Sequence, residues 1–292
     1  MSSLDLMSLS GKRIYVAGHQ GMVGAAISRR LATEDCLVLT ATRAETDLTR
    51  QAETETLLAK MKPDIVIIAA AKIGDSQANG GYPADFLAEN LAIELNVIKS
   101  SFAVGVRRLL FVGSTSIYPR LAPQPIKEGA LMTGPLEKTD EGHAIATITG
   151  IKLCQAYRRQ YGANYISVMS TNLYGRGDNY DPDHGHVIAA LIRRFHEAKT
   201  AGAPEVVVWG SGTPKREFLY VDDFADACIF VLKTYDGEEF LNVGLGTDIA
   251  IADLAQEIAA VVGYEGDIVF DPARPDGPPR KLVDASRLAA LG

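Results

Sequence analysis

Glycines at 18, 21 and 24 follow directly on a short run of strand formers, Arg13-Ile14-Tyr15-Val16-Ala17, and open a segment of helical periodicity. No other feature constrains the fold as much. A strand that ends in Gly18-His19-Gln20-Gly21-Met22-Val23-Gly24 must turn tightly, expose its backbone at the turn, and start a helix packed closely on the strand it has left. Val23, Ala26, Ile27 and Leu31 then recur at helical spacing. Amides at such a helix start face an anion well. Two readings stand: a cradle for the pyrophosphate of a dinucleotide, or a tight turn with no ligand. The strand–turn–helix context favours the first.

The alternation continues. Residues 37–40 read as a strand, 53–61 as a helix, 64–71 as a strand, 86–104 as a helix, 108–113 as a strand, 148–161 as a helix and 165–170 as a strand. Strands apolar on both faces and separated by helices indicate a parallel sheet covered on both sides. Past about residue 175 the rhythm changes. A polar stretch, 178–185, is followed by an amphipathic helix over 187–199 and a strand over 205–209. A turn follows at 210–214, then a strand-then-helix pattern over 218–231. The tail is rich in Pro and Gly (Pro272, Pro275, Gly277, Pro278, Pro279). The expected fold is α/β, a Rossmann-type doubly wound parallel sheet with a smaller C-terminal substrate-binding lobe. The sheet domain spans 11–180 with 218–247 returning to it. The lobe takes 181–217 and 248–292 and covers the carboxyl edge of the sheet, where such folds bind ligands. The first ten residues read as a loose arm.

Composition limits the function. With 47% hydrophobic residues in 292, the chain has ample core. Its 29 Lys and Arg against 36 Asp and Glu give a net charge of −7, which argues against general binding of nucleic acid or an anionic membrane surface. Cys36, Cys154 and Cys228 lack any metal-ligand spacing, so no structural zinc is expected, and a sparse odd count fits a reducing cytosol. His184 and His186 have no third ligand at sensible spacing, so no metal is expected there either. The start of the chain does not read as a signal peptide, and the apolar run 65–71 is far short of the roughly 20 residues a membrane span needs. At the end of the second strand, Thr40-Ala41-Thr42-Arg43 offers no carboxylate for ribose hydroxyls. Arg43 matches a 2′-phosphate instead, which favours NADP(H) over NAD. The alternative is an ordinary surface arginine.

Blocks along the chain carry a wider resemblance. They are Ala17 to Gly24, Ala69-Ala70-Ala71-Lys72, Tyr82-Pro83-Ala84-Asp85-Phe86, Gly113-Ser114, Ile117-Tyr118-Pro119 and Gly150-Ile151-Lys152-Leu153-Cys154. Further on come Thr171-Asn172-Leu173-Tyr174-Gly175, Val206 to Pro214, Arg216-Glu217-Phe218, Pro275-Asp276-Gly277 and Pro279-Arg280-Lys281-Leu282. With these the chain resembles the extended short-chain dehydrogenase/reductase family over residues 12–292, in particular its branch acting on GDP-linked 4-keto-6-deoxy sugars. The resemblance implies epimerisation at C3 and C5 of GDP-4-keto-6-deoxymannose, then reduction of the 4-keto group by NADPH to give GDP-L-fucose. It implies cofactor contacts at Gly18, Gly21, Met22, Val23, Gly24, Arg43, Ala70 and Lys72, and nucleotide-sugar contacts at Arg194, Trp209, Arg216 and Lys281. Ser114 is expected to hydrogen-bond the keto oxygen, and His186 takes the epimerase acid position. It also implies a homodimer through helices 86–104 and 148–161, the alternative being that these simply cover the sheet of a monomer.

Three catalytic positions depart from the family pattern. Its epimerase cysteine is Ser116 here, its proton-donating tyrosine is His143 and the lysine four residues later is Thr147. A serine hydroxyl is a much weaker base than a thiolate, and an unperturbed thiol has a pKa of about 8.5. An unperturbed histidine titrates at about 6.5 and can give a proton near neutrality, whereas Thr147 brings no charge to tune it. The other expectation is therefore a relative that binds nucleotide sugar and cofactor without turnover.

Overall fold

The computed structural model describes residues 7–72, 82–182, 185–274 and 276–292. In chain order the elements are β1 (Arg13–Ala17), α1 (Met22–Leu31), β2 (Leu37–Leu39), α2 (Gln51–Met61), β3 (Ile65–Ile68), α3 (Pro83–Ala103), β4 (Arg108–Ser114) and α4 (Glu141–Tyr161). Next come β5 (Asn164–Ser170), β6 (Asn172–Tyr174), α5 (Val187–Ala201), β7 (Glu205–Trp209), β8 (Lys215–Arg216), β9 (Phe218–Tyr220) and α6 (Val221–Thr234). The chain ends with β10 (Leu241–Val243), β11 (Ile249–Ala250), α7 (Ile251–Val262), β12 (Asp267–Asp271), β13 (Arg280–Lys281) and α8 (Ser286–Ala289).

Among the described residues the main sheet has six strands in the order β10-β5-β4-β3-β1-β2, every neighbouring pair parallel. Side chains alternate across it. Ile14, Val16, Ile65, Ile67, Leu110, Ile166 and Val168 face α1 and α6, while Tyr15, Ala17, Val66, Ile68, Leu109, Phe111, Tyr165 and Met169 face α2, α3 and α4. That two-sided burial is why the strands are apolar throughout. Each such Leu or Ile contributes about 1.5–3 kcal/mol by leaving water. At the foot of β4 the buried Arg108 guanidinium donates to the carbonyls of Leu232 and Tyr235 at 2.5 and 2.7 Å, tying the sheet to the end of α6.

The chain leaves β1 toward β2 on one side and returns to β3 on the other, so the β1/β3 edge is the point where the winding reverses. A second body collects on the carboxyl side. Its core joins Ile188, Leu191 and Phe195 of α5, Val206 and Val208 of β7, and Leu254, Ala255 and Ile258 of α7. Small sheets β11-β8-β13 and β12-β7 belong to it, and β6 pairs with β9 beneath.

Several expectations shift. Strand 64–71 ends at Ile68, because Ala69 to Ala71 leave the sheet to pass over the glycine turn. Helix 148–161 begins at Glu141, so positions 143 and 147 are helical. Its first turns hold Gly142 and two threonines, which mask the helical pattern in sequence. Leu9 is buried and the Met7 amide donates to the Lys233 carbonyl at 3.2 Å, so the loose arm does not extend over 7–10. Residues 283–292, expected in the lobe, pack on the sheet body instead. Val283 bridges to Ile126 in the sheet's core, and Leu288 and Leu291 lie against the α1–α6 face. His184 and Pro275 lie outside the described residues.

Candidate functional site

Three hollows open along the carboxyl side of the sheet. The first, about 410 Å³, lies over the β1/β3 reversal and is lined by Gly18, Gly21, Met22, Val23, Arg43, Ala70 and Lys72 among others. Gly24 sits beneath it. A methyl group there would come within 2.2 Å of the Gly18 carbonyl oxygen, and one on Gly18, at φ +84°, within 2.6 Å of the Ala70 Cα. Only glycine permits this turn, and the turn leaves the start of α1 open to the hollow. Eight residues predicted for the cofactor thus meet at one place.

Two residues that the sequence did not single out hold this cleft. Glu89 of α3 pairs with Lys72 at 2.5 Å and with Arg43 at 3.4 Å, and the hydrogen bond from Lys72 is the main reason its carboxyl sits below its ordinary value. Asn90 clamps the Lys72 backbone in both directions, at 2.7 and 3.0 Å. No short-range signal marks either residue, because their partners lie on another element.

The second cavity, about 400 Å³, lies between the sheet body and the second body. Its lining includes Ser116, Tyr118, Asp140, Asn172, Arg216 and Lys281. Ser114 ends β4, where its Oγ accepts the Ser116 amide at 3.3 Å. Among the described residues Ser116 Oγ is buried without a hydrogen-bond partner. Arg216 donates to the Asp276 carbonyl at 3.1 Å, and burial holds its guanidinium below its ordinary pKa. Asp276 in turn accepts the Ser211 amide and hydroxyl at 2.7 and 2.8 Å, which lowers its carboxyl. Lys281 is pushed down to about 8, mainly by burial; Asp140 opposes the shift and Arg216 adds to it. Behind the cavity Tyr118 Oη donates to Asn242 Oδ1 at 2.5 Å. Asn242 donates to the Ile126 and Asp284 carbonyls and, through its amide, to Glu128, so buried polar groups fix the cavity wall.

His143 lies in the third hollow, about 310 Å³, between the starts of α3 and α4, with Phe86, Leu87 and Ile145. Among the described residues its Nδ1 is buried without a hydrogen-bond partner, and burial lowers its pKa. Thr147 is buried and donates its hydroxyl to the His143 carbonyl at 3.0 Å, while its methyl points toward Gly113. The Thr147 hydroxyl is therefore spent inside its own helix.

His186 stands apart from Ser116. It lines the first cleft, its Nδ1 2.7 Å from Asp178 Oδ1. Arg194 and Trp209 also form a separate cluster. The Arg194 guanidinium lies 4.4 Å from the Trp209 ring centre, and Arg274, which the sequence reading missed, lies 4.6 Å from it. Of the four predicted sugar-nucleotide contacts, Arg216 and Lys281 share the cavity of Ser116. Among the described residues no group of three His, Cys, Asp or Glu is placed to hold a metal, and no helix is long and apolar enough to cross a membrane.

A glycine cradle at the reversal of a doubly wound sheet, beside a polar cavity roofed by a second body, defines a Rossmann-type dinucleotide-binding protein. A model of the NAD dependent epimerase/dehydratase family matches residues 14–244, and the chain belongs to that family. A protein of Sinorhizobium fredii named GDP-L-fucose synthase is 57% identical over 289 residues, covering 99% of this chain and 92% of its own. Among solved structures, a GDP-6-OMe-4-keto-L-xylo-heptose reductase from C. jejuni superposes with a TM-score of 0.92 at 32% identity, covering 98% of this chain and 93% of its own. A GDP-L-fucose synthetase from Naegleria fowleri bound to NADP superposes with a TM-score of 0.89 at 26% identity, over 98% and 89%.

Proposed function

We propose that the chain is an NADPH-dependent enzyme of the cytosol that converts GDP-4-keto-6-deoxymannose to GDP-L-fucose by 3,5-epimerisation and 4-reduction. The supporting observation is the meeting of the glycine cradle, Arg43 and Lys72 in one cleft next to a cavity that carries Ser116, Arg216 and Lys281, in a chain so similar to the Sinorhizobium enzyme. The cradle fits a pyrophosphate, since the space a Cβ would fill is the space the turn needs. Gly18, Gly21, Met22, Val23, Gly24 and Ala70 would hold the dinucleotide, with Arg43 and Lys72 as cations for its phosphates. When bound, NADPH supplies the hydride for the 4-keto carbon.

The chain's own residues do the rest. Arg216 and Lys281 place cations where a nucleoside diphosphate sugar enters, Ser114 holds the keto oxygen, and the second body, 181–217 with 248–282, closes over the sugar. Epimerisation needs a base for the protons α to the ketone. Among the described residues Ser116 Oγ has no hydrogen-bond partner to activate it, so this half of the reaction is slow.

Loss of NADPH absorbance with GDP-4-keto-6-deoxymannose tests the reading. A slow but steady loss is expected. His143→Tyr with Thr147→Lys together should raise the rate, since a phenol reaches further than the shorter imidazole ring and a lysine tunes it, and either change alone should do less. Ser116→Cys should raise deuterium uptake at C3 and C5. The committed hydroxyl of Thr147 favours a second reading, binding without turnover. Saturable binding of both ligands with no loss of NADPH would establish that one.

A further inference from the structure

The reduction needs a proton at the keto oxygen, and His143 and Thr147, at the family's two proton-handling positions, do not line the cavity that takes the sugar. His143 lines the hollow of Phe86 and Leu87, and Thr147 Oγ1 is bonded to the His143 carbonyl. The cavity itself holds an amine. Lys281, carried on β13 from the far end of the chain, lines it together with Ser116 and Asn172. We propose that Lys281 is a catalytic residue of this enzyme, the general acid that protonates the keto oxygen in the cavity it shares with Ser116. The inference rests on the function proposed above and adds to it a second task for a residue assigned only to substrate binding.

The surroundings of Lys281 suit the role. β13 is pinned on both sides, by the parallel pairing of Lys281 with Arg216 and by the Glu217 amide donating to the Lys281 carbonyl at 3.2 Å. Charged and titratable groups near it come from several parts of the chain. Asp140 and His143 stand at the start of α4, Arg216 on β8, and Asp276 in the turn before β13. Arg280 on its own strand is occupied by Asp248 at 2.5 Å, and Glu137 on the opposite wall by Arg120 at 3.2 Å. Half-burial and the Arg216 charge disfavour the ammonium, and Asp140 keeps it from being lost altogether. An acid that titrates near 8 gives its proton readily at neutral pH, whereas an ordinary lysine at about 10.4 holds it. In the step, the carbon receives the hydride and the C=O π pair goes to oxygen. Oxygen takes a proton from Lys281 Nζ, so one C–H and one O–H bond form on the sugar as its C=O π bond, the C–H bond of the dihydronicotinamide donor and one N–H bond of Lys281 break. The neutral amine is reprotonated by water through the open mouth of the cavity.

The test uses the full-length enzyme with Lys281→Arg and Lys281→Met. Arginine keeps the positive charge and has no proton to give at working pH. Lys281→Arg is expected to keep KM within about threefold and to lose kcat by about a hundred-fold, a loss typical of a missing general acid. Wild-type kcat should fall above pH 8, and that limb should vanish in Lys281→Arg. NADP binding by both variants controls for folding. A second readout is independent of turnover. In the ligand-free protein, reductive ¹³C-methylation should show one dimethyl-lysine resonance titrating near 8, absent from Lys281→Arg, while the others titrate near 10. A Lys281→Arg variant that reduces the sugar as fast as wild type, or changes only KM, overturns the assignment and leaves the proposed function standing. A resonance of Lys281 titrating near 10 also overturns it. A wild type that does not consume NADPH at all overturns both.

Discussion

Arg43 is three-quarters exposed above the cofactor cleft, and among the described residues its ion pair is with Glu89, at 3.4 Å. An exposed pair of that kind contributes at most about 1 kcal/mol to stability, so its removal barely affects folding. A guanidinium bound to a phosphate is worth more, about 1.5–3 kcal/mol. Arg43→Ala is therefore expected to weaken NADP binding by at least about tenfold, leave NAD binding unchanged, and shift the melting temperature little. Fluorescence titration with the two nucleotides checks this, and equal affinities in the wild type would remove Arg43 from the cofactor site. Arg43 was legible in the sequence because it follows a strand closely. Glu89 was not, since only the packing of α3 against the cleft brings it there.

At the scale of elements, the contact between α3 and α4 sets the position of everything on the start of α4. Glu94 of α3 is 5% exposed inside that contact. Among the described residues its Oε2 has no hydrogen-bond partner, and burial pushes its carboxyl up to about 9, although the Gly150 amide offsets part of the shift. The folded protein thus prefers the protonated acid. A folded pKa above the ordinary 4.5 means that the native state holds a proton the unfolded chain has released. Stability from this group is complete below about 4.5 and is lost as pH rises toward 9. Glu94→Gln cannot ionise. Its urea midpoint relative to wild type is expected to rise between pH 5.5 and pH 8.5, and a constant difference would show that Glu94 is charged in the fold. The same contact explains the seven-residue error at the head of α4. Residues 141–147 lack a strong helical pattern and become helical by packing on α3. His143 and Thr147 are placed by that helix, so where they point was not readable from their spacing.

For the whole molecule, the outer faces of α3 and α4 leave Leu95, Ile145 and Tyr161 exposed at 48%, 40% and 52%. Exposed apolar groups on two adjacent long helices suit an isologous interface, and a homodimer is expected. Light scattering at micromolar concentration should give twice the 31.3 kDa chain mass, and Leu95→Asp with Ile145→Asp should return it to one. A wild type at the single-chain mass would mean that the two helices only cover the sheet.

The sequence alone determined the alternation of strands and helices and the glycine turn. Both follow from sterics and periodicity within a few residues: a two-sided apolar strand can only be buried between helices, and Gly24 admits no Cβ beside the Gly18 carbonyl. The second body's core was also foreshadowed, through the amphipathic α5 and the strand β7. Tertiary structure alone decided which polar groups share a cavity. Lys281 meets Asp140 and Ser116, Glu89 bridges Arg43 and Lys72, and residues 283–292 turn back onto the sheet. Those meetings join segments far apart in the chain. They are fixed by how the apolar faces of the two bodies and their helices pack, a sum over the whole molecule that no local pattern records.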